Sequence, residues 1–564
     1  MAYKRLGDIL ISAGVLTEEQ LMSALKAQKQ SGKKLGTVLV EDGYIRQQQL
    51  LDALQRQLGV EFIDLTNYSP PKELSRILPR AIAQKYNVVP VRMDGNTLQL
   101  AMDDPLNFPA VETVKTATRK KIVPVLATTE GVARALSNLY GSEGAERALE
   151  ELRSEETAAP NPQQLVTANI IGADNETAAP TIRLVNSILE YAVNQNASDI
   201  HLEPRELEMV VRMRIDGVLR RTFTVPRATQ NAVIARIKVM GNMNIAERRI
   251  PLDGRSNIRL NNQDIDLRIS TLPTVYGEKV VIRLLRKNSA FLSTKGIGLA
   301  GKNLEKFNAL LKNSNGVILI VGPTGSGKSS SMYTMIGGLN TEQVNLVTLE
   351  DPVEYNLDGV NQVQINEKVD MTFANGLRSI LRQDPDIIAV GEIRDGETAQ
   401  IAMRAAITGH LVLSTLHTND APSTLDRLLD MGVEPFLIST ALKGVISQRL
   451  VRRICPNCRQ EYTASAEEQD MLHLPYDPNR KFYKGRGCPV CFNTGYRGRT
   501  AVFEILTINK SIRRAIADGV PHSELMRAIE SSDFEPLIND CINLVSQGVT
   551  TVEEAYRTVN STDV

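Results

Sequence analysis

Nine consecutive residues, Gly322-Pro323-Thr324-Gly325-Ser326-Gly327-Lys328-Ser329-Ser330, carry the chemistry around which the chain is arranged. They match G-x-x-x-x-G-K-[ST] at every defined position. Glycines let the backbone turn inward so that its N–H groups face one anion. Lys328 adds a charge for the β- and γ-phosphates of a nucleoside triphosphate such as ATP, and the Ser329 hydroxyl suits Mg²⁺. A helix starting here turns its positive end to the phosphates. A second chemistry lies in Cys455-Pro456-Asn457-Cys458 and Cys488-Pro489-Val490-Cys491, two C-x-x-C knuckles with 29 residues between them. Four thiolates satisfy a tetrahedral Zn²⁺ with no open position, so the site expected over 455–491 is structural. A redox pair is the alternative, and two knuckles with glycine-rich flanks argue against it. Cys541 sits apart and reads as a small buried side chain.

The elements around these residues follow from pattern. Gly316 to Val321 is a short apolar run rich in β-branched residues and closed by Gly-Pro, which predicts a buried strand. Helix and strand then alternate. Three strands end in Glu350-Asp351-Pro352-Val353-Glu354, in Gly391-Glu392-Ile393-Arg394-Asp395 and in Leu416-His417-Thr418-Asn419. In a parallel sheet the ligand lies off the carboxyl ends of the strands, which gathers Glu350, Glu392 and His417 around the phosphates. Phosphoryl transfer to water needs a positioned nucleophile, a metal and charge stabilisation. Glu392 is expected to orient or activate the water. Glu350 is expected to hold Mg²⁺, directly or through water. His417 is expected to sense the γ-phosphate, with support from His410. One carboxylate at a strand end is better read as a helix cap. Three polar residues at three strand ends argue for a site. Gly391 stands where the general phosphate-loop scheme has an aspartate.

The N-terminus repeats itself. Arg5-Leu6-Gly7, Leu10, Gly14, Leu21, Leu25 and Gln28 recur 29 positions later as Lys34-Leu35-Gly36, Leu39, Gly43, Leu50, Leu54 and Gln57. Each Leu-x-x-x-Leu-x-x-Gln lies on one helical face. Thr17-Glu18-Glu19-Gln20 forms a capping box. Packed helical hairpins explain the leucines, but not the basic residue, the Leu-Gly pair and the glutamine in both copies. The pattern resembles the tandem cyclic-di-GMP-binding motif at the N-terminus of some pilus and type II secretion ATPases. That resemblance implies that the basic residue and the glutamine contact guanines and phosphates, while leucines and glycines let the chain wrap the ligand. Lys34 departs from the usual arginine and lacks its planar fork.

With 564 residues, 42% of them hydrophobic, the chain has room for three or four domains. Lys+Arg and Asp+Glu both number 65, so zero net charge gives no bulk electrostatic case for a nucleic-acid partner. No apolar stretch approaches twenty residues and no signal-peptide pattern opens the chain, so a soluble, intracellular protein is expected, with any membrane role through a partner. Cysteines in metal-type pairs fit a reducing compartment. Residues 1–145 read as an α/β module, and 146–180 as a flexible linker. Residues 181–288 read as a second, arginine-rich α/β domain with a helix through Ile182, Val185, Ile188, Leu189 and Val193 and a hairpin turn at Asp216-Gly217. Residues 289–564 hold the phosphate loop and the cysteines, and the end of the chain reads as a helical bundle.

Four strings carry a wider resemblance: Ser198-Asp199-Ile200-His201-Leu202-Glu203-Pro204, the run from Arg249 to Arg255, the acidic box from Thr348 to Glu354, and the histidine box from Gly409 to Asn419. Together they resemble the hexameric type II secretion and type IV pilus assembly ATPases over nearly the whole chain. The resemblance implies a multidomain α/β fold: a RecA-like P-loop core with a zinc subdomain, preceded by a PAS-like α/β domain and an N-terminal α/β domain with tandem helical motifs. It implies a Mg²⁺-dependent ATPase working as a homohexamer at the cytoplasmic face of the inner membrane, on a membrane platform protein and cytoplasmic ring components. In that family the domain before the core lies over the nucleotide and supplies arginines, for which Arg255, Arg268 and Arg283 are the candidates. An arginine finger is worth about 10³–10⁵ in rate in well-studied cases. Gly391 is usual in the family. Pilus retraction motors lack the N-terminal extension and the four cysteines, so the expected role is pilus assembly, with the type II secretion ATPase as nearest rival. The intact Lys328, Glu392 and His417 argue against a dinucleotide receptor with a degenerate ATPase. Zero net charge argues against a DNA translocase.

Overall fold

The computed structural model describes residues 6–31, most of 59–140, 180–260, 263–286 and 293–560, with isolated positions and short runs between 35 and 55. Contacts divide it into two compact units, Met1–Leu284 and Leu285–Val564.

In the first unit, helices Leu6–Ser12 and Glu18–Ser31 open the chain. The capping box forms: Thr17 N–H donates to Gln20 Oε1 at 3.0 Å and Gln20 N–H to Thr17 Oγ1 at 3.3 Å. Leu10, Leu16, Ala24 and Leu39 share a small core. Strands β1 (Val88–Asp94), β2 (Thr97–Met102) and β3 (Lys121–Leu126) make a three-stranded sheet, with the helix Phe108–Thr118 connecting the parallel pair β2 and β3. A six-stranded sheet follows from β4 (Asp199–Pro204), β5 (Glu208–Ile215), β6 (Val218–Pro226), β7 (Leu252–Leu260), β8 (Gln263–Thr274) and β9 (Gly277–Arg286), in the order β6-β5-β4-β9-β8-β7. Asp216 and Gly217 have φ of 51° and 86°, the positive pair that a type I′ hairpin turn requires. The helix Pro180–Asn194 buries Ile182, Val185, Ile188, Leu189 and Val193, its apolar stripe at helical spacing. It covers one face of this sheet together with the helix Gln230–Met240.

In the second unit the strands are β10 (Gly316–Val321), β11 (Leu346–Glu350), β12 (Asn361–Gln364), β13 (Ile387–Val390), β14 (Leu411–Leu416), β15 (Leu442–Ile454), β16 (Arg459–Thr463), β17 (Lys481–Gly485) and β18 (Tyr496–Thr507). Seven form one sheet in the order β12-β11-β13-β14-β10-β15-β18, parallel except for β18. Every β10 side chain is buried, because the strand lies inside the sheet with both faces covered. Val317, Leu319 and Val321 enter one core, Ile318 and Ile320 the other. Each such aliphatic side chain contributes roughly 1.5–3 kcal/mol.

The chain's end is not one helical bundle. Lys510–Ala517 and His522–Glu530 place Ile512, Ile516, Leu525 and Ile529 in the core below β10. Leu537–Ser546 and Val552–Asn560 instead cover Val451 and Val502 of β15 and β18, with Cys541 fully buried among them. Periodicity specifies a helix but not the surface it covers. β15 and β18 are 13 and 12 residues long, more than twice the length of β11, and their far ends need their own cover.

Candidate active site

The loop 322–327 joins β10 to the helix Lys328–Leu339. Gly322, Gly325 and Gly327 have φ of 140°, 80° and 90°, a region that L side chains rarely adopt. A Cβ on Gly322 would also lie 2.4 Å from Gln448 O. Pro323, Thr324, Gly325 and Ser329 are exposed, and Ser330 is half-buried. The Ser326 hydroxyl is buried and has no hydrogen-bond partner among the described residues. An orphaned donor inside a glycine cradle fits an anionic ligand.

Lys328 is buried and folded back onto its own loop. Its Nζ donates to Gly322 O at 2.7 Å and to Pro323 O at 3.1 Å, and lies 3.5 Å from His417 Nδ1. Burial lowers its pKa, opposed by the charge of Glu392. His417 Nε2 lies 3.0 Å from Glu392 Oε2. An ionised carboxylate only accepts, so Nε2 carries the proton and Nδ1 turns a lone pair to the Lys328 ammonium. The other Glu392 oxygen accepts from Arg394, whose Nη2 reaches Asp351 Oδ2 at 3.2 Å. Lys328, His417, Glu392, Arg394 and Asp351 thus form one continuous line. Its members come from the start of a helix and from the carboxyl ends of β11, β13 and β14.

Glu350 closes β11 and is buried. Tyr333 Oη donates to its Oε2, while Thr348 Oγ1 at 2.7 Å and Gln362 Nε2 at 3.1 Å donate to its Oε1. Burial, then the Glu350 carboxylate, raises the Tyr333 pKa. Gly391 has a steric reason: a Cβ there would lie 3.2 Å from Leu349 O and 3.3 Å from Glu350 Cα, so a side chain would press on the strand that presents Glu350.

His410 is a correction. It stands one residue before Leu411, the partner of Gly316 at the start of β10, and its Nδ1–H donates to Ala405 O at 2.8 Å. Six strand residues at ~3.3 Å each separate it from His417, so it stands about 20 Å from the carboxyl edge. It closes the end of the helix Gly396–Ile407 and does not reach the phosphate loop. Sequence reading missed Arg394, Tyr333, Thr348 and Gln362. Arg394, an opposite charge two residues from Glu392, left a signal. Tyr333 left none.

Arg255, Arg268 and Arg283 stand on β7, β8 and β9 and line one cleft of about 650 Å³ with Asp253. Arg255 and Arg268 are direct cross-strand partners. Arg283 Nε donates to Asp199 Oδ1 at 3.1 Å. The four cysteines are all buried, with Sγ atoms within 4.8 Å of one another. The separations Cys455–Cys488, Cys458–Cys491 and Cys488–Cys491 are 3.9, 3.8 and 3.6 Å. A tetrahedron with metal–sulfur bonds of ~2.3 Å has edges of about 3.8 Å, so the set fits Zn²⁺. Gly485 and Gly495 flank the knuckles because their backbones touch: a Cβ on Gly485 would lie 2.1 Å from Gly495 O.

In the repeat, Gly7, Leu10 and Leu39 are buried, while Leu6, Leu25, Gln28 and Leu35 are half-buried. Gly14 and Gly43 have φ of 68° and 73° with open space around them, so a turn alone accounts for both glycines. Arg5, Lys34, Gly36, Leu54 and Gln57 lie outside the described residues.

The family model described as "Type II/IV secretion system protein" matches residues 174–557. The chain belongs to that family. A second model, "MshEN domain", matches 58–146, beginning just after the repeat. The type IV pilus assembly ATPase PilB of Thermus thermophilus is 42% identical over 98% of this chain. The match covers 65% of that relative's length, a little under two thirds. The protein of the same name from Myxococcus xanthus is 39% identical over 98% of each chain. Type II secretion system protein E of Dickeya dadantii is 50% identical over 68% of this chain and 76% of its own. The two pilus relatives are ATPases by name. Among its described residues, no helix is long and apolar enough to cross a membrane.

Proposed function

We propose that this chain is the ATP-hydrolysing motor of type IV pilus assembly. It works as a homohexamer at the cytoplasmic face of the inner membrane, against a membrane platform protein and its cytoplasmic ring components. One observation carries the reading: the phosphate-loop lysine, an imidazole and a carboxylate stand in contact at the carboxyl edge of a parallel sheet. The two pilus relatives, each matching 98% of this chain, support the pilus role. When bound, Mg²⁺-ATP supplies the phosphoryl group and the metal charge for its transfer to water.

The side chains then divide the work. Lys328, Gly322 to Gly327 and Ser330 hold the phosphates. Ser329 would hold the metal, together with Glu350, already tied by three donors, directly or through water. Glu392 orients the attacking water and takes its proton, and His417 links that carboxylate to Lys328. Arg255, Arg268 and Arg283 serve as the charge donors of the cleft between β7 and β9. Residues 1–145 form a cyclic-di-GMP-responsive domain that binds through the repeat. The linker expected over 146–180 lies, but for Pro180, outside the described residues; 181–288 is the arginine domain and 289–564 the ATPase domain, stiffened by zinc at 455–491.

Turnover of Mg²⁺-ATP by the purified chain, with and without cyclic-di-GMP, tests this. Wild type should hydrolyse ATP, Lys328→Ala should lose at least about 100-fold, and the dinucleotide should change the rate. No turnover in either condition, or full activity in Lys328→Ala, overturns the motor. The identity to the type II secretion relative favours a second reading, a secretion ATPase. Restored piliation, rather than restored secretion, in a strain lacking its own assembly ATPase separates the two.

A further inference from the structure

We infer that Arg394 is a positioning residue for hydrolysis: anchored by Asp351, its guanidinium holds one oxygen of Glu392 so that the other meets His417. The inference rests on the ATPase reading above. Glu392 lies two residues beyond β13, on a loop, where a carboxylate can turn among several rotamers. Here its two oxygens are committed to different partners. Arg394 Nε and Nη2 both reach Oε1, and His417 Nε2 stands 3.0 Å from Oε2. One oxygen is thereby neutralised and the other given a direction.

Arg394 is itself fixed from two further sides. Asp351, on the loop after β11, accepts from Nη2 at 3.2 Å, and the Phe373 ring centroid lies 5.6 Å from the guanidinium carbon. Burial opposes the arginine's charge, but the Glu392 and Asp351 contacts outweigh it and raise its pKa. Only a planar fork serves Glu392 and Asp351 together, so lysine is a poor substitute. Among the described residues the arginine makes no hydrogen bond or ion pair with Lys328 or the loop, so its removal should strike the chemical step and spare nucleotide binding.

Steady-state kinetics of the purified full-length chain with Mg²⁺-ATP tests this, with Glu392→Gln as the reference for a lost carboxylate. Arg394→Ala should lower kcat by about 30- to 100-fold and leave KM within about twofold, the pattern of a misaimed group. Arg394→Lys should recover part of that loss, about 3- to 10-fold, because it keeps the charge without the fork. Asp351→Asn should lower kcat by about 3- to 10-fold, and it decides the matter with Arg394→Lys if Arg394→Ala fails to fold. A kcat within twofold of wild type, a raised kcat, or a raised KM with kcat unchanged overturns the role of Arg394 while leaving the ATPase reading standing. An inactive wild type removes that reading, and this inference with it.

Discussion

Tyr333→Phe deletes one oxygen from the wall behind the phosphate loop and should cost the second unit about 1.5–3 kcal/mol, the worth of a hydrogen bond to a charged group. Tyr333 lies on the helix that follows Lys328 and is fully buried. Its hydroxyl donates to Glu350 and accepts from Glu354 N–H at 3.2 Å and Tyr355 N–H at 3.4 Å. Its ring packs edge-on against Tyr355 at 5.6 Å, a contact that phenylalanine keeps. The substitution therefore isolates the hydrogen bonds from the packing. Glu350 would retain Thr348 and Gln362, but one oxygen would lose its donor inside the protein, where water does not replace it. The unit spans Leu285–Val564. At ~2.1 cal/mol/K per residue its unfolding entropy is roughly 0.6 kcal/mol per degree, so Tm should fall by about 2–5 °C. Scanning calorimetry of wild type and variant reads the shift. A transition within 1 °C of wild type would mean that Glu350 draws no net stability from Tyr333, and the account of a carboxylate fixed by three donors would fail.

Cys455→Ser should take bound zinc from one equivalent to almost none by metal analysis and lower the melting temperature; a full equivalent retained rules out the tetrathiolate. Glu554 joins the last helix to β15 by accepting from Arg452 Nη2 at 2.7 Å, Arg452 Nε at 3.0 Å and Arg557 Nη2 at 2.8 Å. Burial alone would raise its pKa, but the Arg452 hydrogen bonds and charge lower it on balance. A folded pKa below the unfolded one adds stability above about pH 4.3 that is lost as pH falls through the folded value, so Glu554→Gln should flatten that part of the acid limb of Tm against pH. An unchanged limb rejects the pairing. His410→Ala should keep ATP turnover within about twofold while His417→Ala loses at least tenfold, since only His417 stands within reach of Glu392; equal losses would restore His410 to the site.

What could be read from sequence was whatever neighbours in the chain decide among themselves. The loop Gly322–Ser330 is set by φ values and by donors within nine residues. The capping box of Thr17 and Gln20 lies within one turn, and the stripe of the helix Pro180–Asn194 is its own periodicity. The all-apolar β10 announces a strand covered on both sides, and the carboxyl-edge rule for parallel strands brought Glu392 and His417 together. The same rule separates His410 from them once the register of β14 against β10 is known, and register belongs to the sheet. Folding alone decided that Tyr333, from a helix, and Gln362, from β12, meet at Glu350. It also decided that Arg394 turns back between Glu392 and Asp351, and that the last four helices cover two cores instead of one. Those contacts join residues distant in the chain, and the order and register of the strands set their distances. A pattern within one segment carries no information about that geometry.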